Sequence, residues 1–109
     1  MFFKRPKNSK EIIWTKHAIE KMKYYALSES RLRRLLKNYQ RKEPGIAPET
    51  IALMGPAGTK RPTEVWLMYE QIGKRKKIIT AWRYPGISPK KELPIPEDIV
   101  EELRQLDEK

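Results

Sequence analysis

Two segments whose side chains alternate between the two faces of a strand, TEVWLMYEQ (63–71) and KKIITAWRY (76–84), flank a Gly-containing IGKRK and constrain the fold most strongly. Successive strand side chains point to opposite faces, so Val65, Leu67 and Tyr69 oppose Trp66 and Met68. In the second segment Ile78, Thr80, Trp82 and Tyr84 oppose Ile79, Ala81 and Arg83. The short linker predicts an antiparallel hairpin with a basic tip, Lys74, Arg75, Lys76 and Lys77. Apolar residues on both faces predict a sheet packed by helices on one side and partly covered on the other.

The remaining chain supplies the partners of that hairpin. KEIIWT (10–15) predicts a short strand, and Thr15 predicts the cap of a helix with Ile19, Met22 and Ala26 on its core side. Ser28 predicts the cap of a second helix, with Leu32, Leu35, Leu36 and Tyr39 in an i, i+3, i+4, i+7 series and Arg31, Arg33, Arg34, Lys37 and Arg41 opposite. Between Pro44 and Pro62, Pro and Gly clusters predict turns around one strand, ETIALM (49–54). Pro96 in the first turn, Glu97 and Asp98 at the positive end of the dipole, and the stripe Ile99, Val100, Leu103 and Leu106 predict a closing helix. That helix is expected to dock on its own sheet, with a partner protein as the alternative. The expectation is one α+β domain over residues 1–109: a basic lead (1–9), a strand, two helices, a three-stranded antiparallel sheet and a C-terminal helix (95–109).

Charge narrows the function. The chain has 24 basic and 14 acidic residues, a net of +10; residues 90–109 carry 4 basic and 7 acidic groups, which leaves +13 on residues 1–89. Such a basic body points to a phosphate-backbone partner, although a basic pI kept for solubility, or a ribosome-attached structural protein, has the same composition. Lys23, Arg33, Arg34, Lys37, Lys74, Arg75, Lys76 and Lys77 are the candidate nucleic-acid contacts, and Tyr24, Tyr25, Trp66 and Trp82 are candidates for base stacking if exposed. The absence of Cys excludes disulfides, a zinc–cysteine site and a cysteine nucleophile. No carboxylates cluster as metal ligands, GPAG is not a phosphate loop, and no cofactor is expected. No apolar run has signal-peptide or membrane-spanning length, so the expected location is the cytoplasm.

The one histidine, His17, lies early in the first helix, and on a helical wheel Lys21 and Tyr24 fall within about 40° of it, opposite Ile19, Met22 and Ala26. The stripe is expected to be polar and outside the core, either a solvated face or a catalytic edge. Metal-free RNA cleavage needs a base for a 2′-hydroxyl, an acid for the leaving oxygen and cations at the phosphate. His17, Lys21, Tyr24, Thr80, Arg83 and Tyr84 are the candidates for those roles.

T-K-H-A-x-x-K-M opening a helix, a basic helix starting at a Ser, a hairpin and a final I-I-T-A-W-R strand together resemble the small phage- and bacteria-derived proteins allied to the RelE and BrnT toxins. These sit within the wider barnase-like and RelE-like ribonucleases. The resemblance spans roughly residues 11–84 and implies a RelE-like fold and RNA cleavage, often on the ribosome, with neutralisation by an antitoxin. The family's His-Ala-x-x-Arg-Met, with a Thr and an Arg on the last strand, maps to His17, Lys21, Thr80 and Arg83. Lys21 keeps the charge of the family Arg without its two-pronged donor geometry. A non-catalytic nucleic-acid-binding module and a phage or bacterial accessory protein are the rival readings.

Overall fold

A computed structural model describes residues 3–90 and 92–107. Residues 1 and 2 of the basic lead, and 108 and 109 of the closing helix read from the sequence, lie outside the described residues. The elements in chain order are β1 (Ile12–Trp14), α1 (Lys16–Tyr24), α2 (Glu29–Lys37), β2 (Arg41–Pro44), β3 (Thr50–Pro56), β4 (Thr63–Ile72), β5 (Arg75–Pro85) and α3 (Glu97–Asp107).

The expected three-stranded antiparallel sheet of a RelE-like domain is corrected. Among the described residues the protein is α+β with three helices and a five-stranded mixed sheet, ordered β1-β5-β4-β3-β2, in which β1 runs parallel to β5. Two strands account for the difference. β1 joins the sheet because Ile12 and Trp14 bury their side chains while the backbone pairs with Lys76–Ile78. β2, RKEP, has no apolar periodicity and forms as an edge strand by backbone pairing to β3. The turn joining β2 to β3 needs Gly45, where a Cβ would overlap the Thr50 side chain.

The hairpin of β4 and β5 turns through Gly73 and Lys74, with Gly73 at φ +58° in the left-handed region that glycine adopts without penalty. Within it, a β-bulge pairs Met68 with Thr80 and Tyr69 with Ile78, leaving Ile79 as the extra residue. The bulge overturns simple alternation along β5. Ile78 lies with Ala81 in the core beneath α1 and α2, whereas Thr80 faces the opposite side with Met68 and Trp82.

Each face of the sheet has its own core. Ala18, Ile19, Met22, Leu27, Leu32 and Leu35 from the α1–α2 region pack on Leu53, Val65, Leu67 and Ile78. Ser28 caps α2 as the sequence predicts, accepting a hydrogen bond from Arg31 N. Tyr39 and Ala26 do not join this core: Tyr39 lies beyond the end of α2 and is exposed, and Ala26 ends the α1 turn in an exposed left-handed conformation, φ +54°. Leu27 takes the buried place instead.

On the other face Ala52, Met54, Trp66, Met68 and Trp82 pack beneath Ile99 of α3, with Leu93, Ile95 and Leu103 alongside. Trp66 and Trp82 sit directly opposite each other across β4 and β5 and stack at 5.7 Å between ring centroids. Both are fully buried, which removes them as surfaces for base stacking. The chain after β5 is drawn back over this face by Glu64, which accepts from Ser88 N and Oγ at 3.1 and 2.7 Å and from Trp66 Nε1 at 3.0 Å. Arg41 adds a 2.7 Å donation to Ser88 Oγ and lies over the Trp66 ring. This anchoring sets α3 down on its own sheet. Among the described residues no helix is long and apolar enough to cross a membrane.

Candidate functional site

Thr15 places His17. Its Oγ1 accepts from Ala18 N at 3.1 Å, capping α1, and donates to Ile78 O at 2.7 Å, tying the helix start to β5. Pairing with β1 stops at Trp14 and Ile78, so among the described residues β5 has no strand neighbour on that side beyond the bulge. His17 therefore reaches round the open edge to the far face, and its Nε2 lies 3.0 Å from Thr80 Oγ1.

The other ring nitrogen meets α3. Nδ1 lies 3.3 Å from Glu102 Oε2, and Lys21, one turn on, donates from Nζ to Glu102 Oε1 at 2.8 Å, with Asp98 Oδ2 at 3.9 Å. A carboxylate only accepts, so Nδ1 carries the proton toward Glu102 and Nε2 accepts from the Thr80 hydroxyl. Both nitrogens of a neutral ring are then satisfied. Burial, more than any other influence, holds the His17 pKa below its ordinary value of 6.5; Lys21 lowers it further, while Glu102 and Glu20 oppose the shift. Burial works against the Lys21 charge too, but the hydrogen bond and charge of Glu102, with Asp98 and Tyr25, outweigh it and raise the Lys21 pKa.

His17 and Lys21 are 7% and 8% exposed, so the expectation of a stripe outside the core is corrected: both lie in a buried polar seam between α1, β5 and α3. The carboxylate–imidazole–hydroxyl order of Glu102, His17 and Thr80 follows that of a nucleophilic triad. Thr80 is fully buried, however, and its hydroxyl holds the ring instead of attacking a substrate.

A cleft of about 1130 Å³ opens beside the seam, walled by α1, α3, the turn at 46–48 and the ends of β4 and β5. His17 and Lys21 line it, apolar Met68, Ile79, Val100 and Leu103 contribute to its walls, and Lys16, Lys77, Arg104, Glu20 and Glu70 add charge.

The other candidates do not converge there. Tyr24 is 73% exposed, edge-on to Tyr25, with Lys21 Nζ 5.4 Å from its ring. Arg83 is committed to the far end of α1, donating from Nε to Tyr25 O at 2.7 Å and from Nη2 to Ala26 O at 3.1 Å. Burial, and then the charge of Arg31, lowers the Arg83 pKa. Tyr84 is half-buried against the tryptophan core. Thr80 joins the site by holding the ring.

The candidate nucleic-acid contacts divide into two regions. Arg34 and Lys37 are exposed on α2 and Lys23 on α1, while Arg33 pairs with Glu29 at 2.7 Å. At the hairpin, Lys74 is exposed, Arg75 donates to Ser9 O, Lys76 lies over the Tyr69 ring and Lys77 lines the cleft. Among the described residues no group of acidic or histidine side chains is disposed to hold a metal ion.

Glu102 and Asp98 are the site residues that sequence reasoning missed: it gave Asp98 to the helix dipole and gave Glu102 no part in a site. Their i, i+4 spacing beside the buried Ile99 was the available signal: it sets both carboxylates at the border of the docking face. Comparison with known proteins finds no matching family model, no matching curated protein and no matching solved structure.

Proposed function

We propose that this chain is a small basic RNA-binding protein of the cytoplasm that cuts RNA without a metal, with His17 and Lys21 at the reacting phosphate. The supporting observation is the convergence of His17 and Lys21 on one cleft wall, an imidazole and an ammonium bridged by a single carboxylate. With Glu102 swung aside and the ring in its other tautomer, Nε2–H toward Thr80 Oγ1, neutral His17 accepts a proton from a 2′-hydroxyl at Nδ1, and Lys21 holds a fixed positive charge for the phosphate oxygens. The 2′-oxygen then bonds to phosphorus as the 5′-oxygen leaves with a proton from water, since Tyr24 does not line the cleft. The resemblance of the helix and strand motifs to the RelE and BrnT toxins extends the reading to toxin-type action, with an antitoxin or the ribosome as partner.

One observation favours a second reading, a binding module that does not cut. Both His17 nitrogens are engaged, and Nε2 faces a buried hydroxyl.

Incubating a mixed RNA pool in EDTA with the wild type and with folded His17→Ala separates the two. Cleavage that slows by ~100-fold or more in the variant supports catalysis. Intact RNA with salt-dependent binding supports the module, and salt-insensitive binding defeats both, since phosphate contacts release counterions.

A further inference from the structure

We propose that His17 and Lys21 form a phosphate-binding subsite and that the Glu102 carboxylate occupies it in this state, so that α3 carries a built-in mimic of the ligand. The inference rests on the RNA reading for its biological ligand but not for its chemistry. A carboxylate and a phosphodiester each present two terminal oxygens to paired donors. Here one oxygen takes the Lys21 ammonium at 2.8 Å and the other faces His17 Nδ1 at 3.3 Å, as two phosphate oxygens would. The donors are supplied by one helix at i and i+4 and are buried on its inner side. Their anionic partner comes from an element 81 residues away, the acidic end of an otherwise basic chain.

The mask can move without unfolding anything. Ile99 is fully buried under α3 and fixes the helix, whereas the Glu102 side chain is 39% exposed and can rotate into solvent. The cleft lies on the same side, its walls carrying Lys16, Lys77 and Arg104 against Glu20 and Glu70, so the charge that meets an incoming phosphate as the carboxylate leaves is chiefly that of Lys21. RNA binding at this subsite must therefore compete with an internal anion, which weakens binding there until the rest of the strand engages.

His17 is the sole histidine, so its imidazole NMR signals report the subsite without ambiguity. Titrating inorganic phosphate at neutral pH is expected to move those signals saturably, with the midpoint falling about tenfold in Glu102→Gln, the scale of one charge-assisted contact removed as competitor. Glu102→Asp, whose shorter side chain draws the carboxylate back, is expected to fall between the two. Lys21→Ala in the Glu102→Gln background should abolish the response. Signals that ignore phosphate in every protein, or equal midpoints in wild type and Glu102→Gln, overturn the proposal. A short single-stranded RNA titrated in parallel separates the two readings. Salt-dependent RNA binding without a phosphate response overturns the subsite alone. A phosphate response without RNA binding retains the subsite and overturns the RNA reading.

Discussion

Lys21 Nζ donates to Glu102 Oε1 at 2.8 Å across 81 residues of sequence, joining the first helix to the last. The same carboxylate faces His17, so one acidic side chain organises both candidate catalytic groups. Because Glu102 is partly exposed, water screens the pair. A double-mutant cycle on Lys21→Met and Glu102→Gln, read by urea denaturation, should give a coupling of about 0.5–1 kcal/mol. A coupling near zero would mean that this ion pair contributes nothing to the docking of α3.

Those apolar contacts centre on Ile99, which is buried against the face carrying Trp66 and Trp82. Ile99→Ala should destabilise the domain by about 2–4 kcal/mol through lost burial and the cavity left behind. A much smaller loss in the denaturation midpoint would show that α3 contributes little to the fold.

Acid should weaken the fold through His17. Its folded pKa is held below the ordinary 6.5, so the unfolded chain takes up the proton first as pH falls. The stability that neutral His17 contributes is complete above pH 6.5 and is lost as pH drops through the depressed folded value. The wild-type melting temperature should hold above about pH 7 and fall below 6.5, more steeply than that of His17→Gln, which does not titrate there. Parallel curves for the two proteins would refute this linkage.

Arg83 should prove structural, in contrast to the role implied by the resemblance. Arg83→Met removes two charge-assisted hydrogen bonds from the carbonyls that end α1, and should cost about 1–3 kcal/mol while leaving the His17 NMR signals in place. A folded variant of unchanged stability would contradict this assignment.

The end of α1 also offers a stabilising change. Leu27 N donates to Met22 O at 2.8 Å and Ala26 N to Lys23 O at 3.3 Å, a helix-ending motif that puts Ala26 in the left-handed region glycine prefers. Ala26→Gly should raise stability by up to about 1 kcal/mol in thermal melts, and a loss would show that the turn tolerates alanine without strain.

Local chemistry was readable along most of the chain. Alternation marked β4 and β5, Thr15 and Ser28 marked the starts of α1 and α2, and of the stripe Ile99, Val100, Leu103 and Leu106 the first and third mark the docking face of α3 while Leu106 is exposed, because each signal lies within one turn or a few strand positions. The pattern of an element reports which of its faces is apolar and carries no information about its neighbours. The parallel pairing of β1 with β5 and the edge strand β2 therefore came from tertiary contacts, β2 through backbone hydrogen bonds that leave no apolar signature. The bulge between β4 and β5 is a further case: it sends Ile78 and Thr80 to opposite faces where plain alternation would keep them together. The candidate site depends on all of these at once. His17 and Lys21 share a stripe that helical spacing exposes, but their burial, and the carboxylate between them, follow from a last helix folded back by Glu64 and Ser88 onto the sheet that holds Thr80.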